Sequence, residues 1–419
     1  MDKHAVLPST GSKKPGFFYG YIVVLAAFFV LMIMLGLLYS FGVFLKPLSA
    51  EFGWTRTMPS GAYSMGLFVT GLLYMVTGRL TDRFGPRIVM TACGFLLGLG
   101  YLLMSQISAL WQLYLFWGVI VAMGISGGFV PMTSTVARWF VKKRGVMTGI
   151  VVAGTGVGII IVPPVASWLI LSYGWRTSFI VLGIIALVLL ILAAQFLKRD
   201  PSKTGQLPNG ENELRQENLV SEARGFSFRE AIHTKQFRMV WSIYFLLGAC
   251  LLAVMVHIVP HATDLGISAM VAAGILAIIG GLSIVGRIGG GSVSDRVGRK
   301  STLIIGFILL LVALLWLQLA REPWMLYLFA ILFGLGTGGL VTLQSPVTAE
   351  LFGLRAHGAI LGTVVFGTTT GGAIGSLLAG RIFDITASYY LAFLVCAALT
   401  IASLILASLL KPTGKKDLV

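Results

Sequence analysis

Gly78-Arg79-Leu80-Thr81-Asp82-Arg83-Phe84-Gly85 returns 213 residues later as Gly291-Ser292-Val293-Ser294-Asp295-Arg296-Val297-Gly298. A second pair keeps the same interval. Arg144-Gly145-Val146-Met147-Thr148-Gly149, followed by Gly154, is matched by His357-Gly358-Ala359-Ile360-Leu361-Gly362, followed by Gly367. Two separate loops displaced by one constant number of residues mark an internal duplication, so each copy holds the same succession of elements.

Around these turns the chain is too apolar to be coated by water. Of its 419 residues, 57% are hydrophobic and only 11% charged, with a mean hydropathy of +0.92. A spanning helix needs about 20 apolar residues, and the sequence supplies six such runs between residues 18 and 197 and six more between 237 and 410. The expected fold is an all-α integral membrane protein of 12 transmembrane helices in two pseudo-symmetric six-helix bundles. Residues 1–17 and 411–419 read as tails, and residues 198–236, rich in charge, Gly and Pro, as a solvated linker. Near its end, Ser227-Phe228-Arg229-Glu230 has the pattern of a capping box and predicts a short surface helix. The 52 glycines fit close helix packing in lipid, where small residues let backbones approach.

The net charge of +16 does not point to nucleic acid, because the basic residues occupy short loops between apolar runs. With 12 spans, 25 of the 31 Lys and Arg fall on one side and five on the other. That asymmetry places both termini and the linker in the cytoplasm, and the lack of extended hydrophilic regions and of a signal peptide suits a cell membrane of the bacterial plasma-membrane kind. Cys93, Cys250 and Cys396 lie far apart inside apolar runs, so neither a metal site nor any other cofactor is expected. Nor is an enzyme, since no nucleophile–base pair or phosphate loop appears.

The remaining cation, Arg287, stands eight residues before Asp295 on the eighth span, about 12 Å above the basic end. A guanidinium at that depth costs at least about 2.5 to 3.5 kcal/mol, and no Asp or Glu in the same run offsets it. An anionic substrate would, and the planar fork suits a carboxylate. Elsewhere in the spans, His257 can titrate near neutral pH, with Asp264 a possible neighbour. Pro260 is expected to break that helix. Ser126 and Gln344 are polar groups in glycine-rich runs that can line a cavity.

The Asp-Arg-x-Gly turns resemble the conserved loop of the major facilitator superfamily. The stretch from Ala137-Arg138-Trp139-Phe140 to Ala153-Gly154, with Glu51-Phe52-Gly53-Trp54 and Gly174-Trp175-Arg176, is similar to monocarboxylate transporters, and oxalate:formate antiporters share much of it. The resemblance implies two halves that rock about a midplane site, with Asp82, Arg83, Asp295 and Arg296 clamping neighbouring helix ends as conformational gates. It places Arg287 at the helix-eight arginine of those families. It also implies cavity roles for Phe366, Tyr390, Leu35 and Val152, with hydrogen bonds from Ser283 and Tyr39. Ser283 stands where monocarboxylate carriers tend to hold an aspartate, and Tyr39 and Thr368 stand near positions where relatives carry a second cation. A single buried cation suits a small monocarboxylate such as lactate, pyruvate or acetate, moved with a proton on His257 or on the acid itself. The alternative is an organic-anion antiporter of the oxalate:formate kind, and an anion channel or receptor is a more distant one.

Overall fold

The computed structural model describes residues 18–54, 57–208 and 225–411. Both tails up to residue 17 and beyond 411, the middle of the linker and Arg56 lie outside the described residues. Helices account for nearly all of the rest, and there is no strand among the described residues. They run as α1 (Gly20–Phe52), α2 (Thr57–Phe84), α3 (Pro86–Met104), α4 (Leu110–Trp139) and then a continuous run Arg144–Phe196. After the linker come α7 (Lys235–Asp264), α8 (Ala269–Val297), α9 (Arg299–Leu319), α10 (Pro323–Phe352), α11 (His357–Thr386) and α12 (Tyr390–Leu409).

The run Arg144–Phe196 holds 53 residues, about 80 Å of helix at 1.5 Å per residue, against a hydrocarbon core of about 30 Å. It is two spans. Gly174, at φ 81° and ψ 162°, divides it into α5 (144–173) and α6 (175–196), in a conformation that essentially only glycine adopts. The chain turns back there on a single glycine rather than through a separate loop. With that division, the eleven long apolar helices among the described residues become twelve spans, and the protein is a multi-pass membrane protein.

Two hydrophobic cores follow the duplication. The first is built from α1 to α6 around Phe41, Phe44, Tyr101, Trp117 and Phe179, and the second from α7 to α12 around Tyr244, Phe307, Phe329 and Phe333. Within each, glycines seat one helix against another, and Gly158 and Gly371 do so at equivalent places. Gly154 and Gly158 of α5 lie against the Phe28 and Met32 carbonyls of α1, and Gly371 and Gly375 of α11 against the Phe245 and Ala249 carbonyls of α7. A methyl group at any of them would overlap backbone, which explains glycine in an apolar helix.

The linker carries the capped helix its sequence announces, Phe228–His233. Ser227 accepts from the Glu230 N–H, and the Glu230 carboxylate accepts from the Ser227 N–H at 2.6 Å. Pro260 does not break α7, which continues through it to Asp264; the ring removes only the N–H that the Val256 carbonyl would accept, and one further turn follows.

Candidate functional site

At the end of the bundle that carries the Asp-Arg-x-Gly turns, each half caps a helix of the other. The Asp82 carboxylate, at the end of α2, accepts from the first N–H groups of α11, those of Gly358 and Ala359, both at 3.1 Å. Asp295, at the end of α8, accepts from Gly145 and Val146 at the start of α5, at 2.7 and 2.8 Å. The first N–H groups of a helix have no partner in their own helix and carry the positive end of its dipole, so an anion there is doubly favoured. Glycine makes the approach possible: Gly78 meets Gly358, and Gly291 meets Gly145, with no room for a side chain between them.

The arginines beside these carboxylates take no part in the clamp. Arg83 and Arg296 are exposed, with Arg83 lying over the Phe84 ring. The cation that pairs with Asp82 is Arg138 from the end of α4, at 2.9 Å, and it also donates to the Leu354 carbonyl of the other half. Arg144, almost wholly buried, donates from Nε to the Ala137 and Phe140 carbonyls and steadies the loop that presents α5. His357, its counterpart in the repeat, is buried with Nε2 on the Ser345 hydroxyl at 3.1 Å, and Ser345 donates across the halves to the Thr133 carbonyl.

From this sealed end the contact between halves climbs α5 and α8 in steps: Gly145 on Gly291, Gly149 on the Arg287 carbonyl, and Gly156 on Ile284. One turn further along α8, Gly280 has no atom within 4 Å of where a side chain would start, and Ile160 on α5 is exposed. The α2–α11 contact climbs likewise, from Gly78 and Tyr74 to Gly71 under Phe366 and Thr369. Phe366 meets Phe68 of the other half edge to face at 6.5 Å. The halves are closed at the basic end and parted above.

Arg287 lies at the floor of that cleft. It reaches from α8 to α5, donating from one terminal nitrogen to the Val152 carbonyl at 3.3 Å, while its Nε is buried without a partner. None of the ion pairs among the described residues includes it. Tyr39 on α1 is close enough to interact electrostatically with it, and keeps 49% of its surface open. The floor therefore presents one unneutralised cation with spare donors beside a phenol.

The other sequence candidates fall in different places. Ser283, one turn above Arg287, is buried and donates to the Gly280 carbonyl at 2.7 Å. Val152 does not offer its side chain, which is packed in the N-terminal core; its carbonyl is what Arg287 uses. Leu35 is likewise buried in that core. Ser126 is sealed at a break in α4, donating to Met123 and receiving Thr77 on its carbonyl. Gln344 is buried and donates to the Thr368 hydroxyl at 3.0 Å. Tyr390 opens α12, far along the sequence from the floor helices, and is 53% exposed.

His257 is not alone among intramembrane histidines, since His261 lies in the same helix and His357 opens α11. Its Nε2 donates to the Ser376 carbonyl at 3.0 Å, which leaves Nδ1 to accept from the Tyr389 hydroxyl at 3.3 Å. The Asp264 carboxylate acts on His261 and on Tyr389. Sequence reasoning passed over Arg138, whose signal was only a cation in a basic loop.

The sequence matches the Major Facilitator Superfamily over residues 23–298 and again over 284–418. It is similar to Monocarboxylate transporter 13 of Rattus norvegicus, 28% identical over 393 residues that cover 93% of this chain and 89% of that protein. It is also similar to the uncharacterized MFS-type transporter YhjX of Escherichia coli strain K12, 26% identical over 343 residues, 80% of this chain and 81% of the relative. Among solved structures it resembles the proton:xylose symporter XylE, with a TM-score of 0.75 at 14% identity over 92% of this chain and 94% of the other. The fucose:proton symporter FucP of E. coli follows at 0.72 and 17%, over 95% and 100%. At those identities the likeness is one of fold.

Proposed function

Because this chain belongs to the Major Facilitator Superfamily and is a transporter of that kind, we propose that it carries small monocarboxylates such as lactate, pyruvate or acetate, together with a proton, by alternating access. The observation that carries the reading is the Arg287 guanidinium at the cleft floor, held by one carbonyl, with Nε buried and unpartnered and no carboxylate paired to it. A bidentate anion would satisfy those donors and offset the cost of the buried charge. Relatives whose names are those of monocarboxylate transporters support the same class. The lone cation favours a monoanion, since Tyr39 and Thr368 stand where a second positive charge would be needed for a dianion.

In this reading the basic end faces the cytoplasm, as the distribution of Lys and Arg favours, and the cleft opens outward. The bundles are residues 18–197 and 237–410, joined by the linker 198–236. Asp82 and Asp295 release α11 and α5 when the halves rock, exposing the floor to the other side. Tyr39 and Ser283 face the bound acid and Phe366 caps it. The proton travels on the acid or through His257, whose ring nitrogens lie on the Ser376 carbonyl and the Tyr389 hydroxyl.

The test is uptake of labelled lactate into liposomes containing the purified protein. Saturable uptake that rises with an inward proton gradient, and counterflow by unlabelled monocarboxylates, are expected. Counterflow indifferent to the gradient would hand the protein to anion exchange, and non-saturable flux would remove the carrier reading.

A further inference from the structure

The repeat that relates the halves also relates two residues at the cleft floor. Tyr74 stands eight residues before Asp82 as Arg287 stands eight before Asp295, so the two are 213 residues apart, the interval of the duplication. The backbone confirms the equivalence: the Tyr74 carbonyl is the atom against which Gly362 of α11 packs, as the Arg287 carbonyl is for Gly149 of α5. At mirrored points of the floor, one half offers a guanidinium and the other a phenol.

The phenol is unspent. Tyr101, equally buried, donates to the Leu37 carbonyl at 2.7 Å. The Tyr74 side chain keeps only 5% of its surface accessible, yet among the described residues its hydroxyl donates to nothing. Unlike the Tyr244 hydroxyl, which is enclosed without a partner, that of Tyr74 keeps contact with solvent, and a ligand oxygen can take the place of that water. Tyr39 lies close enough to Tyr74 and to Arg287 to act electrostatically on each of them. Gly71, one turn from Tyr74, has Phe366 and Thr369 of α11 above it, so the phenol lies at the seam between halves.

We propose that Tyr74 is a specificity residue that hydrogen-bonds the oxygen on the second carbon of a 2-hydroxy or 2-oxo acid while Arg287 holds the carboxylate. This rests on the monocarboxylate reading and deepens it. A substrate bonded to α2 at one end and α8 at the other ties the halves through itself, and a plain acid of the same size leaves the phenol unpaired. A site built to bond a substrate oxygen discriminates strongly against the analogue without it.

The experiment compares lactate with propionate, which lacks only the hydroxyl, in wild type and Tyr74→Phe, which lacks only the phenol oxygen. Folding is checked by thermal unfolding in detergent. Wild type should prefer lactate in half-saturating concentration, and Tyr74→Phe should weaken lactate about 5- to 30-fold while changing propionate less than about twofold. Equal weakening of both acids, or no change in either, overturns the assignment. If wild type moves neither acid and Arg287→Ala alters nothing, the monocarboxylate reading itself has failed. If wild type moves both equally and Tyr74→Phe matches it, only Tyr74 falls.

Discussion

Replacing Gly145 by leucine should force the basic end open. A Cβ on Gly145 would overlap the Gly291 carbonyl oxygen and lie 2.8 Å from Asp295 Oδ1. The Gly291 carbonyl is helix backbone and the Asp295 carboxylate is tied to the Gly145 and Val146 N–H groups, so α5 and α8 must part. Overpacking of this kind costs about 1 to 3 kcal/mol, and it falls only on the state in which the two helices touch. That alone moves a two-state ratio by about 5- to 150-fold. The same parting stretches the Asp295 bonds to Gly145 and Val146, now 2.7 and 2.8 Å, which adds to the shift. Spin labels on Lys142→Cys and Arg296→Cys, exposed positions on opposite halves, report the opening by pulsed electron resonance. The native cysteines are buried and should label little. The parent should give one short distance and Gly145→Leu a dominant longer one. An unchanged distribution in a folded variant would refute the claim that this glycine contact sets closure.

Asp82→Asn should open the same end further than Asp295→Asn, by about 1 to 3 kcal/mol against the parent. Asp82 loses the Arg138 pair as well as its helix cap, and equal distance shifts would count against that ranking. Gly174→Ala should lower thermal stability by about 1 to 3 kcal/mol, because no side chain rests easily at that φ and ψ; nothing lies within 4 Å to clash, so an unaffected melting temperature would mean that the turn relaxes. Hydrogen bonds from Arg176 and then Trp175 hold the Glu51 carboxyl below the usual carboxylate range. Its contribution is present above the ordinary glutamate value and is lost as pH falls through the lowered one. Glu51→Gln should therefore lose less melting temperature than wild type as pH falls from about 5 to about 2.5, and parallel curves would exclude it.

The duplicated turns and apolar runs made the twelve spans legible because both are local patterns, readable along one strand of sequence. Partners across the bundle were not. Asp82 and Asp295 stood out, but Arg83 and Arg296 beside them point outward, while the groups that meet the carboxylates are backbone N–H groups more than 100 residues away. Helix faces were the second blind spot. Val152 and Leu35 sit on apolar helices that are buried nearly all round, so periodicity could not say whether they face a cleft or a core. Tyr74 was hidden because an aromatic in an apolar run carries no signal until its mirror relation to Arg287 is known.

Binding of lactate to the purified protein, wild type against Arg287→Ala and Arg287→Lys, tests the account at its centre. Losing a charge-assisted and partly desolvated contact is worth about 2 to 5 kcal/mol, roughly 30-fold to several thousand-fold in affinity. The lysine variant should recover little, since a point charge replaces a fork. Calorimetry on folded variants should show the alanine protein without measurable affinity at concentrations that saturate wild type. Near-normal affinity in Arg287→Ala would contradict the account and return the arginine to a structural part on the Val152 carbonyl.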